Sequence, residues 1–140
     1  MKLFGLTPNL AMVSFSNFGS SKSESGTKMS EAVNYLHRYF PHINVDGELQ
    51  ADFALNGEMR NEKFPFSKLQ GKKVNGLIYP NLESANISYK LLKEIHSADS
   101  IGPIIMGLKK PVHLIQLGAS VDEIVNMVCI AVVDAQGRKK

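Results

Sequence analysis

Short apolar runs alternate along this chain with segments whose apolar residues recur at helical spacing. That alternation constrains the fold more than any other feature. Residues 10–15 (Leu-Ala-Met-Val-Ser-Phe) follow Pro8 and Asn9 and read as a buried strand. Met29, Ala32, Val33, Leu36 and Phe40 mark an amphipathic helix over 28–40, which Pro41 ends. Residues 42–45 read as a short strand. Residues 46–52 (Asp-Gly-Glu-Leu-Gln-Ala-Asp) read as a turn leading into a short helix that ends at Leu55. Residues 56–73 are polar, with Pro65, Gly71 and a Lys72-Lys73 pair, and read as a surface excursion. Residues 74–79 give a second buried strand, and Asn81 caps a helix over 82–96. Two more strand candidates, 104–108 and 112–117, are joined by Lys109-Lys110-Pro111. Ser120 then opens the last helix with Glu123 three residues on, a capping-box spacing. This helix is apolar nearly all round over 124–133, which predicts burial. Strands alternating with helices predict an α/β domain with a mainly parallel sheet.

The 140 residues suit one domain with a moderate core. Sixteen basic and 13 acidic residues leave a net charge of +3, scattered apart from the Arg138, Lys139, Lys140 tail. No basic face with interleaved aromatics stands out, which argues against nucleic acid as a partner. No apolar run approaches the ~20 residues that span a bilayer, so no membrane partner is expected. The start, Met-Lys-Leu-Phe-Gly-Leu-Thr-Pro, is short and broken by Gly and Pro, unlike a signal peptide. Cys129 is the single cysteine and reads as a small core residue of a reduced compartment. A cytoplasmic protein is the expectation.

Three groups of residues could carry chemistry. The loop Ser16-Asn17-Phe18-Gly19-Ser20-Ser21 follows a strand and precedes a helix, so it can offer N–H groups and hydroxyls to an anion. A plain Ser/Gly connection explains the same residues. Asp46, Glu48 and Asp52 could do acid–base work or hold a cation. A tight turn at Gly47, with acidic residues favouring a helix N-terminus, explains them without chemistry and is the preferred reading. Leu82, Ala85, Tyr89 and Leu92 could form one buried stripe, with the Tyr89 hydroxyl at its rim. Among His37, His42, His96 and His113 no pair has the i, i+4 spacing of a helical metal site, so no metal is expected in this chain.

Four blocks stand in order: residues 11–20 (Ala-Met-Val-Ser-Phe-Ser-Asn-Phe-Gly-Ser), 46–52, 77–90 and 102–123, the last opening Gly-Pro-Ile-Ile-Met-Gly. Together they resemble the second half of a phosphotransacetylase domain of the phosphate acetyl/butyryltransferase family, over about residues 9–136. The resemblance implies a three-layer αβα fold with a mainly parallel sheet, of which 1–140 would be the second part. Ser-Phe-Ser-Asn-Phe-Gly-Ser, Lys-Pro-Val-His and Ile-Val-Asn-Met are similar to the version at the C-terminus of large bacterial NADP-dependent malic enzymes. There, NADP and a divalent metal are expected in other domains. The implied role is oligomer assembly, with a dimer expected, and sensing of acetyl-CoA. The ligand-lining blocks of the family map to Ser14, Ser16, Gly19, Ser20, Gly102, Pro103, Gly107, Gly118 and Ser120. Asn86 and Tyr89 are further candidates, although core packing accounts for Tyr89 as well.

One departure bears on activity. Active members carry Ser-Arg just before the glycine that matches Gly118, and here those positions are Gln116 and Leu117. The aspartate that helps deprotonate the thiol of coenzyme A aligns with Glu123. The resemblance therefore implies a degenerate transfer site. Acetyl phosphate formation by an unusual site is the alternative.

Overall fold

A computed structural model of the chain describes residues 1, 4–96 and 100–137. They fall into two compact units, Thr7–Tyr89 and Met1–Leu6 with Lys90–Lys140. The larger unit is hung on β1 (Asn9–Val13), which pairs in parallel with β2 (Asn44–Leu49) and with β3 (Gly76–Ile78) in the order β2-β1-β3. Parallel neighbours need crossovers. The first crossover carries α1 (Glu24–Tyr39), and the second carries α2 (Ala51–Leu55) and α3 (Gly57–Lys63). On one face Ala11 and Val13 pack with Leu49, Ala54, Leu69 and Val74. On the other, Met12 packs with Met29, Val33 and Val45. Both faces are covered, as parallel sheets require, which explains why β1 reads as a continuous apolar run.

Local chemistry sets the helix ends. The Ser23 hydroxyl accepts from the Gly26 N–H at 3.0 Å and starts α1 four residues earlier than its apolar periodicity does. The helix ends at Tyr39, with Phe40 as its C-cap just before Pro41. Asn81 Oδ1 accepts from the Ser84 N–H at 2.8 Å and caps α4 (Leu82–His96), as its sequence position predicts.

Two expectations are corrected within this unit. Residues 46–49 are not a turn but the buried end of β2. Gly47 has φ +141°, and a Cβ there would lie 2.5 Å from the Met12 carbonyl oxygen. The glycine marks a close approach of two backbones rather than a reversal. Residues 56–73 are mostly exposed, as a surface excursion would be, but they contain α3 and are anchored by the buried Arg60, Ser67 and Leu69. The Arg60 guanidinium donates to the carbonyls of Phe53, Ala54, Leu69 and Lys72 at 2.6–3.2 Å. Burial lowers its pKa, and the Asp46 charge opposes that shift. The third difference is smaller. β3 has only three residues and leaves Ile78 exposed, so it is a short edge strand.

The smaller unit contains α5 (Val121–Gly137). Residues 104–108 and 112–117 form no strand among the described residues. Met106, Leu108, Val112, Leu114, Ile115 and Leu117 are exposed, so an apolar run without a neighbouring strand to pair with stays irregular. Only the stripe Met127, Ile130 and Asp134 of α5 is buried, at i, i+3 and i+7. The expected burial of 124–133 and of Cys129 is therefore corrected: Val125, Val128, Val132 and Cys129 are exposed. The proposed stripe on α4 fails too, since Leu82 and Leu92 are exposed. No helix of the described residues is long and apolar enough to cross a membrane. The Arg138, Lys139, Lys140 tail lies outside the described residues.

Replacing Arg60 by Met would strand four carbonyls and leave Asp46 without its nearby cation. We expect Arg60→Met to cost about 3–5 kcal/mol of stability by urea unfolding. A loss below about 1 kcal/mol would show that the guanidinium is dispensable.

Candidate functional site

The first candidate block is the loop after β1. Ser16 is buried, and its hydroxyl donates to Glu48 Oε1 at 2.5 Å. The Gly19 N–H donates to the same oxygen at 3.1 Å. These are two of the donors that the sequence offers to an anion, and the chain's own carboxylate engages both. Ser20 is exposed, and its hydroxyl accepts from the Asn17 N–H at 3.0 Å. The Ser14 N–H donates to the Leu49 carbonyl at 2.9 Å, whereas Ser14 Oγ is buried with no hydrogen-bond partner. Asn86 is exposed on α4 and Tyr89 is half-buried.

The acidic cluster separates into three roles. Asp46 Oδ2 accepts from Ser67 Oγ at 2.8 Å and from the Lys68 N–H at 2.7 Å. Glu48 organises the loop after β1. Asp52 sits in the first turn of α2, the helix-end placement that its sequence position suggests. Among the described residues no three His, Cys, Asp or Glu side chains converge as a metal would need.

The second block belongs to the smaller unit. Gly102, Gly107 and Gly118 have φ of +148°, +89° and +84°. The Ala119 N–H donates to the Gln116 carbonyl at 3.1 Å, closing a turn that presents Leu117 fully to solvent. Ser120 and Glu123 then form the reciprocal cap. The Ser120 N–H donates to Glu123 Oε2 at 2.8 Å and the Glu123 N–H donates to Ser120 Oγ at 3.2 Å. Lys93 Nζ lies 3.1 Å from Glu123 Oε1. Both oxygens of Glu123 are thus engaged, and the Ser120 N–H, followed by Lys93, lowers its pKa. A cavity of about 430 Å³ beside this pair is lined by Lys93, Ser100, Ser120, Asp122, Glu123, Val125 and Asn126. Gly102, Pro103, Gly107, Gln116, Leu117 and Gly118 do not line it.

Sequence reasoning missed Lys93, which lies 30 residues from its partner. No local spacing reveals such a pair. It also missed the buried pair of His113 and Asp134, with Nε2 and Oδ2 3.7 Å apart.

A depressed carboxylate pKa stabilises the folded chain above the unfolded value, and that contribution is lost as pH falls through the folded value. Lys93→Gln should move the Glu123 carboxyl titration upward, toward its ordinary range, in a carbon-detected NMR titration. Ser120→Ala retains the backbone donor and should move it less. Equal shifts in the two variants would contradict this ordering.

The family described as phosphate acetyl/butaryl transferase matches residues 1–132. An NADP-dependent malic enzyme of Salmonella typhimurium is 45% identical over 137 residues, which are 97% of this chain and 18% of that protein. A phosphate acetyltransferase of Clostridium acetobutylicum is 42% identical over 135 residues, covering 96% of this chain and 40% of that protein. A phosphotransacetylase structure from Streptococcus pyogenes aligns with a TM-score of 0.88 at 36% identity, over 97% of this chain and 41% of that one. The chain therefore spans less than half the length of these relatives.

Proposed function

The chain belongs to the phosphate acetyl/butaryl transferase family, and on that premise we propose that it is a regulatory and assembly domain of an NADP-dependent malic enzyme. In this reading it responds to acetyl-CoA and does not transfer acyl groups. The observation that carries the reading is the turn at Gln116 and Leu117. The resemblance puts a serine and an arginine there, and this chain places a solvent-exposed leucine where the guanidinium would stand. Leucine cannot make the charge-assisted, bidentate contact that arginine makes with a phosphoryl group. Losing one such preorganised donor costs about 10²–10³-fold in rate. Glu123, at the position of the thiol-deprotonating aspartate, is held by Lys93 and by its cap, which disfavours proton uptake.

The competing reading is a working phosphate acetyltransferase. Similarity to the Clostridium acetobutylicum enzyme favours it. One experiment on the full-length protein separates the two. Acetyl phosphate formation should be absent, while acetyl-CoA should inhibit malate-dependent NADP reduction. NADP and the divalent metal would be held by other domains. Proposed contacts for acetyl-CoA in the larger unit are the loop of residues 14–20 and Tyr89; in the smaller unit the resemblance maps ligand-lining residues to the stretch 102–118. Tyr89→Ala or Gly118→Val should raise the half-maximal inhibitory concentration about tenfold, the equivalent of ~1.4 kcal/mol. Transferase turnover within about tenfold of an ordinary enzyme would overturn the proposal.

Assembly rests on a second observation. Val121, Val125, Val128 and Val132 of α5, with Leu114, Ile115 and Leu117 before it, expose apolar side chains. Exposed apolar patches of this kind seek partners, and two-fold dimers are the commonest oligomers. Light scattering should give a dimer at micromolar concentration, and Val125→Glu with Val128→Glu should shift it to monomer. A stable wild-type monomer would remove this part of the reading.

A further inference from the structure

We propose that Glu48 is a positioning residue whose buried carboxylate takes the place of a bound anion and templates the loop of residues 14–20 at the start of α1. Glu48 is 2% exposed. Its Oε1 receives the Ser16 hydroxyl and the Gly19 N–H, and its backbone carbonyl receives the Phe18 N–H at 2.8 Å. The next two residues continue the pattern. The Leu49 carbonyl accepts from the Ser14 N–H at 2.9 Å. The Gln50 amide donates to the Phe15 carbonyl at 2.7 Å. Asn17 and Gln50 exchange two bonds, each 2.7 Å long. Every residue from 14 to 19 is thereby tied to Glu48, Leu49 or Gln50.

The first turn of α1 closes on the same carboxylate. A Cβ at Gly26 would lie 3.3 Å from Glu48 Oε1, 3.3 Å from Ser16 Oγ and 3.1 Å from Ser23 Oγ. Glycine at the third position of this 16-residue helix lets the helix approach that closely. A helix N-terminus with a Ser/Gly loop before it is the arrangement that holds anions. Here the anion is internal, so the loop has its shape before any ligand arrives. Preorganisation of this kind raises affinity by removing the cost of ordering the loop.

The consequence for ligand binding rests on the acetyl-CoA reading above, whereas the templating does not. Two readouts on the full-length protein keep them apart. In Glu48→Ala, amide exchange of Gly19 by mass spectrometry should rise about tenfold, as for loss of a charge-assisted hydrogen bond, and that of Phe18, which keeps its backbone acceptor, should rise less. Added formate, a carboxylate small enough for the vacated space, should restore protection. Glu48→Gln retains an acceptor oxygen and should exchange within about threefold of wild type, without response to formate. If Glu48→Ala does not fold, Ser16→Ala removes one tie and should raise Gly19 exchange by a smaller factor. Unchanged exchange in Glu48→Ala, or in Ser16→Ala where that variant stands in, would overturn the proposal. So would exchange that rises in Glu48→Ala but ignores formate. The half-maximal acetyl-CoA concentration should rise in parallel with exchange and fall again with formate. Exchange that behaves as expected while inhibition stays constant supports the templating and overturns the loop as an effector contact.

Discussion

Asp46 and Glu48 are buried two residues apart on β2, and the connections of the larger unit are folded around them. Buried carboxylates need hydrogen-bond donors around them. Asp46 draws in Ser67 and the Lys68 N–H, which fixes the chain between α3 and β3. Arg60 complements it, holding the end of α2 against the same segment through four carbonyls. Glu48 draws in Ser16 and Gly19, which fixes the loop between β1 and α1. Gly47 between them permits β2 to lie against Met12, so both carboxylates reach these donors from one strand.

Much of the fold was legible because it is written in local signals. β1 is an apolar run between turn residues, and α4 and α5 carry Asn81 and the Ser120–Glu123 cap at their starts. These depend on neighbours within four residues, which sequence displays directly. β2 was half legible. Asp, Gly and Glu are poor strand formers, so residues 46–48 read as a turn. Tertiary hydrogen bonds and the close approach at Gly47 overrode that propensity. The segment 56–73 was misread in part: most of its polar residues do face water, but Arg60 and Ser67 are buried and satisfy buried groups. In the other direction, the apolar runs of 104–117 had the composition of strands. Composition names side chains and cannot supply the adjacent backbone that makes a strand.

The loop after β1 was legible in position, whereas the engagement of its donors was not. The Ser/Gly loop lies between a strand and a helix, where its sequence places it. Its Ser16 and Gly19 donors are engaged by a carboxylate 32 and 29 residues away, a pairing that no spacing rule reports. Glu123 was correctly read as part of a capping box, but the second engagement of its carboxylate comes from Lys93 on another helix. Of the acidic cluster at 46–52, Asp52 takes the helix-end place that its sequence suggests, whereas Asp46 and Glu48 serve two different segments of the larger unit.

Acyl transfer and effector sensing ask different things of the same scaffold. Transfer needs groups that interact more strongly with the transition state than with the ground state, and a guanidinium on a phosphoryl group is such a group. Sensing needs only that two states of the protein bind the ligand with different affinity, which requires shape and a bistable surrounding rather than a reactive pair. Gln116 and Leu117, which the resemblance matches to the family's reactive pair, lie on an exposed turn of the smaller unit. The loop 14–20 is held within its own unit by Glu48, Leu49 and Gln50. In the proposed reading, a scaffold of this family can lose its reactive pair and still keep the loop's shape for sensing.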